Sequence, residues 1–320
     1  MARAGDGLLP STVPGSPPGF NYPLSYDSTT ADPKNHRVIY EDENVRTLEV
    51  TLWPHDKEIM HGHAYPSFFI SDAPQPRMEN VGVDKYGKEP PPFGFLQSPP
   101  GAPAYPQCMT LGPQPPHAAT IVGTYPQHFW RMEFKRLDPR SFADRWRSEF
   151  PAYSAMAMPA PKPAAGPAFS DSWPYPIDDE TVRAAPANFV QRYDDGHLRI
   201  LEVFIRPGET TPLFGSPYYA VEGFDTVLPG QPGGATLDIQ PADAKSPLLA
   251  HMDLGVSAKP KGLDGPICRI VGPMPPMHVT NTSTVPAHYY RFELLRVDGE
   301  RFAKEWRSMY PKMAEGPIRN

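Results

Sequence analysis

Cysteine is nearly absent from this chain of 320 residues, since Cys108 and Cys268 are its only two. Two cysteines are too few for a disulfide framework and are compatible with a reducing cytosol, so we expect a cytoplasmic location. Long apolar runs are missing as well. No stretch approaches the roughly 20 residues of a membrane span, and the first residues lack the hydrophobic core of a signal peptide. We therefore expect no membrane partner.

A concentration of positive charge is also missing. The formal net charge is -6, and the lysines and arginines are scattered singly along the chain. Nucleic acid requires a basic stripe or patch, so we expect no nucleic-acid partner. A small-molecule substrate is the remaining class of partner.

Proline, in contrast, is abundant. It accounts for 45 of the 320 residues, well above its usual share of about 5%. Proline lacks the backbone donor and fixes its own backbone angle, which disfavours long helices and favours short strands joined by rigid turns. The composition therefore predicts an all-β fold.

The chain contains an internal duplication. The stretch "NHRVIYEDENVRTLEVTLWPHDKEIMHGHAY" from Asn35 aligns without a gap to "NFVQRYDDGHLRILEVFIRPGETTPLFGSPY" from Asn188, and 19 of 44 columns are identical between the blocks that begin at Cys108 and Cys268. Two copies in the same order predict two similar domains. The predicted segments are a proline-rich N-terminal arm (1–33), a first domain (34–151), a Pro/Ala-rich linker (152–186) and a second domain (187–320).

Within each copy, alternating polarity predicts strands. In "HFWRMEFKRL" one face is mainly apolar and carries His128, Trp130, Met132 and Phe134. We expect that face on the core. Arg131 and Glu133 share the other face, which we interpret as solvated or as a salt-bridge layer between barrels. The following "PRSFADRWRSEFP" has helical spacing and predicts a short helix that closes each domain.

The sequence motifs resemble those of the cupins. The order of "NHRVIYEDENVRTLEVTLWP", "HGHAYPSFF" and "PPHAATIVG", followed by the strand "RMEF", carries the resemblance, and the duplication makes the chain similar to a bicupin. The resemblance implies two double-stranded β-helix barrels of the jelly-roll type, and a homodimer is compatible with it. It does not specify a reaction, because one fold supports many chemistries.

The resemblance also implies a metal site. The cupin pattern has two histidines one residue apart, then a glutamate, and a further histidine from a second motif. Carried over to this chain, the metal ligands are His61, His63 and His117, whereas Ser67 and Phe68 occupy the region of the missing glutamate. The residues agree with this assignment, because side chains two apart in a strand point to the same side and can share one ion.

Three imidazoles would leave the +2 charge of an ion unbalanced, which favours an anionic bidentate substrate or dioxygen. Fe(II) is the expected ion, as in the similar three-histidine thiol dioxygenases, and zinc, nickel, copper and manganese are alternatives. His128 and Tyr65 are the candidate catalytic residues. The second copy has Phe214 and Ser216 in place of the histidine pair, so we expect no metal there.

The preferred hypothesis is a metal-dependent bicupin enzyme with one non-heme iron in the N-terminal barrel. It would carry out a dioxygenase-like oxidation of a small polar or carboxylate metabolite. A metal-dependent isomerase or decarboxylase is one alternative. A non-catalytic cupin that binds a ligand or serves as a scaffold is another, and the missing glutamate favours it.

Overall fold

A computed structural model describes residues 11–71, 76–82, 93–95, 107–123, 126–135, 173–224, 235–243, 245–254, 267–284 and 286–295. These residues fall into two compact units, one within 6–135 and the other mainly within 136–296. The predicted closing helices lie outside the described residues. Within the described part of the chain, no helix is long and apolar enough to cross a membrane.

The first barrel consists of two antiparallel sheets. Its elements are a 3₁₀ turn Leu24–Tyr26, α1 Ser28–Ala31, β1 His36–Glu41, β2 Val45–Leu52, β3 His61–His63, β4 Ser67–Ser71, β5 Met78–Gly82, β6 Phe93–Phe95, β7 Gln107–Leu111, β8 Gln114–Ile121 and β9 Gln127–Phe134. The sheets have the strand orders β1-β2-β9-β4-β7 and β3-β8-β5-β6. From β2 onward the chain passes back and forth between the two sheets, which is the winding of a double-stranded β-helix.

The second barrel repeats this arrangement. Its elements are a 3₁₀ turn Ile177–Asp179, α2 Thr181–Ala184, β10 Phe189–Asp194, β11 Leu198–Ile205, β12 Phe214–Ser216, β13 Tyr219–Phe224, β14 Thr236–Pro241, β15 Ala250–Asp253, β16 Ile267–Val271, β17 Met274–Asn281 and β18 Ala287–Leu294. The sheets have the orders β10-β11-β18-β13-β16 and β12-β17-β14-β15. The all-β class with two jelly-roll barrels is therefore confirmed.

The residues before β1 pack against their own barrel. Asp27 forms a parallel β-bridge with Gly62, and the buried Phe20 lies so close that a Cβ on Gly62 would be 2.8 Å from its ring. A glycine is therefore required between the two histidines of β3. The second barrel repeats the contact, with Glu180 bridged to Gly215. These segments lie in the predicted arm and linker.

The charged face of β9 points into the barrel. Arg131 pairs with Leu48 of β2, and Leu48 belongs to an apolar cluster with Ala119 and Ile121 of the facing sheet. Arg131 is 1% exposed and Glu133 is 0% exposed. The interpretation of this face as solvated or as a layer between barrels is therefore wrong. Both faces of the strand are buried, so alternation alone could not distinguish the inner face from the outer one.

Candidate metal centre

Four histidines of the first barrel meet inside it. The ring centroid of His61 lies 4.3 Å from that of His36, 5.1 Å from that of His63 and 4.8 Å from that of His117. The structure thus brings together the three histidines named as ligands from the sequence. It adds His36, which the sequence had not singled out.

Strand geometry sets the direction of these rings. His61 and His63 are the outer residues of the short strand β3, so their side chains share one side and Gly62 faces the arm. His117 lies directly across from His61 on β8, and Gln114 lies across from His63 because of a bulge. His36 comes from the other sheet, at the beginning of β1.

Hydrogen bonds fix the tautomers of all four rings. The acceptors of the Nδ1 protons are Asp32 O for His36 (3.2 Å), Ile59 O for His61 (2.7 Å), Glu133 Oε1 for His63 (2.9 Å) and Pro115 O for His117 (2.9 Å). A carbonyl or carboxylate oxygen can only accept, so each Nδ1 carries the proton and each lone pair lies on Nε2. Nε2 is a ligand atom that metals use in proteins.

The four imidazoles are neutral at physiological pH. Burial lowers the pKa of His61 to about 4 and that of His117 to about 3, and it takes the pKa values of His36 and His63 well below their ordinary value. The positive charge of Arg131 acts in the same direction. Because a metal binds the neutral ring, these groups need not lose a proton to become ligands.

One nitrogen has no partner. His61 Nε2 is fully buried and makes no hydrogen bond with any described residue. An unsatisfied buried polar atom typically costs about 1–3 kcal/mol, and a metal ion would satisfy it. Donor atoms of His36, His61 and His63 all lie within 4.8 Å of one another. The residues therefore fit a divalent ion.

A carboxylate also reaches this cluster. Glu58 Oε1 lies 3.9 Å from His36 Nε2, and Glu58 Oε2 accepts a hydrogen bond from Ala119 N (2.8 Å). Burial raises the pKa of Glu58 to about 8. Glu58 stands three residues before His61, in the loop that leads into β3. It brings a carboxylate to the cluster although the chain has no glutamate at the expected position after His63.

Asp32 has a different position. Its Oδ2 is 3.9 Å from Nδ1 of His36 and 4.0 Å from Nδ1 of His61, and both oxygens accept from Asn35. Its carboxylate therefore lies near the Nδ1 atoms of both rings, and its backbone oxygen, which accepts from His36 Nδ1, orients that ring. Donor atoms of Asp32, His36, Glu58 and His61 form a second set within 4.8 Å, and His117 belongs to neither of the two sets found among the described residues.

Glu133 holds His63 and is itself part of a buried ion-pair network. Its Oε2 accepts from Arg46 Nε (2.7 Å), and Arg46 also donates to Asp27 from both Nη atoms (3.0 Å each). In the second barrel, Glu293 accepts from Arg199 in the same way, while Ser216 Oγ donates to it at 3.1 Å. The network is thus common to both barrels, and in the first it fixes a histidine.

The second barrel replaces the imidazoles with other groups. Phe189, Phe214 and Met277 stand at the positions of His36, His61 and His117, and all three belong to one apolar core cluster. The two phenylalanine rings are 4.6 Å apart. His278 is one position beyond Met277, and its Nδ1 donates to Thr211 O (2.9 Å). It is therefore not the counterpart of His117.

The candidate catalytic residues lie elsewhere. His128 is on the opposite face of β9 from Arg131, and its Nε2 donates to Glu49 Oε1 (3.1 Å). Tyr65 is half-buried under the guanidinium of Arg46, 5.4 Å from it, and burial raises its pKa. Tyr218 has the same contact with Arg199 in the second barrel. The structure does not bring His128 to the histidine cluster, and it gives Tyr65 a contact that both barrels share.

Sequence comparison of the two copies contained the signal for the missed residues. At a constant offset, His36 stands opposite Phe189, Glu58 opposite Thr211 and Asp32 opposite Ala185. Each pair exchanges an ionisable group for one that cannot titrate at neutral pH. A column-by-column search for such exchanges would have found all three.

No family model and no curated protein sequence matches the chain. Among solved structures, it is similar to a cupin domain from Bordetella pertussis Tohama I (15% identity, 32% of this chain and 92% of that chain, TM-score 0.24), to a Lactobacillus farciminis oxalate decarboxylase formate complex (10%, 86% and 88%, 0.23) and to a salicylate 1,2-dioxygenase from Pseudaminobacter salicylatoxidans (12%, 80% and 72%, 0.26). The first of these structures is named as a cupin domain.

Proposed function

We propose that the protein is a metal-dependent oxidoreductase whose first barrel binds one Fe(II) ion. The candidate ligands are His61 and His63 of β3, His36 of β1, His117 of β8 and the carboxylate of Glu58. The observation that carries the proposal is that four histidine rings meet inside the barrel and that Nε2 of one of them, His61, is buried without any partner among the described residues. No packing requirement explains that atom.

The mixture of imidazole and carboxylate donors supports iron. Two histidines and one carboxylate with open positions are the donor set of non-heme Fe(II) oxygenases, and His36, His61 and Glu58 supply these groups here. A bound Fe(II) ion would supply activation of dioxygen. In a dioxygenation both oxygen atoms enter the organic product, so the reaction needs no external reductant.

The chain itself would keep the ligands neutral, oriented and dry. Glu133 and three backbone carbonyls hold the Nδ1 protons, and the barrel buries His61 and His63 almost completely. His117 and Gln114, both on β8, are only partly buried. A small polar or carboxylate metabolite is proposed to enter from that side.

Metal content tests this proposal directly. Purified protein, reconstituted with Fe(II) without oxygen and then desalted, is expected to retain one iron per chain by elemental analysis. His61→Ala should reduce the retained iron to background. The control is His278→Ala, which removes an imidazole of the second barrel that has no counterpart in the cluster and should leave the iron content unchanged.

The alternatives give different results. Retention of zinc, which has no redox chemistry, but not Fe(II) would keep a metal centre and overturn the oxidoreductase, in favour of a metal-dependent isomerase or decarboxylase. Failure to retain any divalent ion, or equal metal content in wild type and His61→Ala, would contradict a metal centre and leave a non-catalytic binding protein.

A further inference from the structure

A short strap of chain connects the two sheets of the first barrel beside the histidine cluster. We define it as residues 20–32, which lie before β1. Asp27, in its middle, is bridged to Gly62 of β3 and forms a salt bridge with Arg46 of β2. The last residue of the strap accepts a hydrogen bond from His36 Nδ1 through its backbone oxygen. The strap therefore lies across the seam at which ligand side chains of the two sheets meet.

The second barrel has an equivalent strap at residues 173–185. At the constant offset between the two copies, Glu180 takes the place of Asp27. It is bridged to Gly215, the counterpart of the glycine in β3, and forms a salt bridge with Arg199. The β-bridge and the salt bridge are thus common to both straps, so they do not distinguish the barrels.

The aromatic residue that begins each strap is fastened differently. Trp173 donates from Nε1 to the backbone oxygen of Met274 (2.9 Å). Its counterpart is Phe20, which has no polar hydrogen to donate. The equivalent backbone oxygen is nevertheless in place, since a Cβ on Gly62 would be 2.8 Å from the Phe20 ring and 2.9 Å from Gln114 O. The first strap therefore has one hydrogen bond fewer at this end.

A second hydrogen bond is missing immediately after the bridge. Thr181 Oγ1 donates to Gly215 O (2.8 Å) in the second barrel. Its counterpart, Ser28, is 0% exposed, and its Oγ has no hydrogen-bond partner in the part of the chain that the structure describes. Buried hydroxyl groups are normally hydrogen-bonded. The closed position of the first strap thus leaves a polar atom unsatisfied, and opening would return that atom to water.

The start of the strap lies at the side from which the substrate is proposed to enter. Phe20 lies against Gly62, which separates the two histidines of β3, and beside the backbone of Gln114. Gln114 stands across from His63 and is only partly buried. The weakly fastened end is therefore the end nearest to the accessible part of the cluster.

We propose that the strap of the first barrel opens to admit ions and substrate to the histidine cluster, whereas the strap of the second barrel stays closed. This inference deepens the proposed function, on which it rests, because it names the route into the same site. Loss of two hydrogen bonds favours opening by on the order of 10-fold. In the second barrel an apolar core replaces the imidazoles, so no ligand has to enter there.

Amide hydrogen exchange of the metal-free, full-length wild type measures the opening of both straps in one protein. Backbone amides exchange when a segment opens locally. Mass spectrometry of the peptides is expected to show exchange in residues 20–32 about 10-fold faster than in residues 173–185, after correction for intrinsic rates. Equal exchange, or slower exchange in the first strap, would overturn the inference.

The double variant Phe20→Trp/Ser28→Thr gives the first strap both donors of the second. Diethyl pyrocarbonate, which reacts with the unprotonated nitrogen of an imidazole, serves as the probe of access in the metal-free protein. The initial rate of modification of His61 and His63 should fall about 10-fold in this variant. His251, whose side chain is 64% exposed, should react equally fast in both proteins.

The matched control is Trp173→Phe/Thr181→Ser, which removes the same two donors from the second strap. It should speed amide exchange in residues 173–185 and leave the modification of the cluster unchanged. An equal rate of cluster modification in wild type and in Phe20→Trp/Ser28→Thr would overturn the gate. If that variant does not fold, the exchange comparison within wild type decides.

Iron content is measured separately. Slower modification in the Phe20→Trp/Ser28→Thr variant of a protein that retains no iron supports the gate and contradicts the oxidoreductase. Retained iron together with an unchanged rate of modification does the reverse.

Discussion

The two barrels share a scaffold and differ at one cluster. Both have the same strand order and the same buried pairing of an arginine with a glutamate, Arg46 with Glu133 and Arg199 with Glu293. The first barrel places imidazoles beside this network, and the second places phenylalanine, methionine and serine there. Since the second barrel forms the same sheets without the histidines, the fold does not require them.

The two barrels also differ in the side chain that accepts a hydrogen bond from one equivalent backbone amide. Ala119 N donates to Glu58 in the first barrel, and Val279 N donates to Thr211 Oγ1 (3.0 Å) in the second. A threonine is sufficient to satisfy that amide, and it carries no charge to bury. Barrel one instead buries an acid and several imidazoles, each of which costs free energy unless it is paired. The proposed metal ion would compensate for this cost.

The largest effect is expected when the first barrel receives the residues of the second. The exchange is His36→Phe, Glu58→Thr, His61→Phe, His63→Ser and His117→Met. Iron content should fall to background, and the metal-free protein should gain about 1–3 kcal/mol in free energy of unfolding, because the unsatisfied His61 Nε2 is removed. Elemental analysis and urea denaturation measure the two quantities.

Two results would break this comparison. Iron retained by the exchanged protein would locate the metal outside the cluster. Loss of the folded signal in circular dichroism would show that the imidazoles support the first barrel in a way that phenylalanine and methionine do not in the second. Wild type carrying His278→Ala serves as the reference, since that substitution alters a histidine outside the exchanged set.

A smaller effect on metal binding is expected from the network that the barrels share. Glu133→Ala and Glu293→Ala each remove a buried carboxylate that two buried arginines share, so each should lower the free energy of unfolding by about 3–5 kcal/mol. Only Glu133→Ala frees the Nδ1 proton of His63, and loss of such a supporting group typically weakens metal affinity about 10–100-fold. Urea denaturation and Fe(II) competition titration check both expectations. Equal metal affinities in the two variants would contradict the role of Glu133.

The fold was predictable because its signals are repeated in the chain. Proline content, alternating strands and a gapless duplication all indicate two similar β-domains, and the structure has them. The direction of β9 was not predictable from alternation. The pattern indicates a solvent-exposed face for Arg131 and Glu133, because charged residues seldom lie in a core. Their burial depends on Arg46 and Asp27, which are distant in sequence and neutralise the charge only after folding.

The candidate site was predictable in part. His61 and His63 are found by spacing alone, because a strand places alternate residues on one side. His36 and Glu58 belong to no local motif, and they reach the cluster because β1 joins one sheet while the loop before β3 leads into the other. Such convergence depends on the tertiary arrangement. The identity of the ion depends on coordination chemistry that the ligand types alone do not specify.

The smallest effect concerns a pair that lies away from the cluster in both barrels. Glu49 accepts from His128, as Glu202 accepts from His288. Burial raises the pKa of Glu49, but hydrogen bonds from His128 and Arg37 outweigh it and lower the pKa to about 2. The ionised carboxylate therefore stabilises the folded state above the unfolded pKa of about 4.5, and this stabilisation is lost as the pH falls from there to about 2.

Glu49→Gln should consequently lower the free energy of unfolding at pH 6 by about 1.5 kcal/mol and should flatten its pH dependence between 4.5 and 2. Glu202→Gln should cost more, because the Glu202 side chain is 0% exposed whereas that of Glu49 is 20% exposed. Urea denaturation across this pH range measures both. Iron content should not change in either variant, because His128 and Glu49 lie on the outer side of the sheet. A loss of iron in Glu49→Gln alone would instead connect His128 to the metal centre and restore it as a candidate catalytic residue.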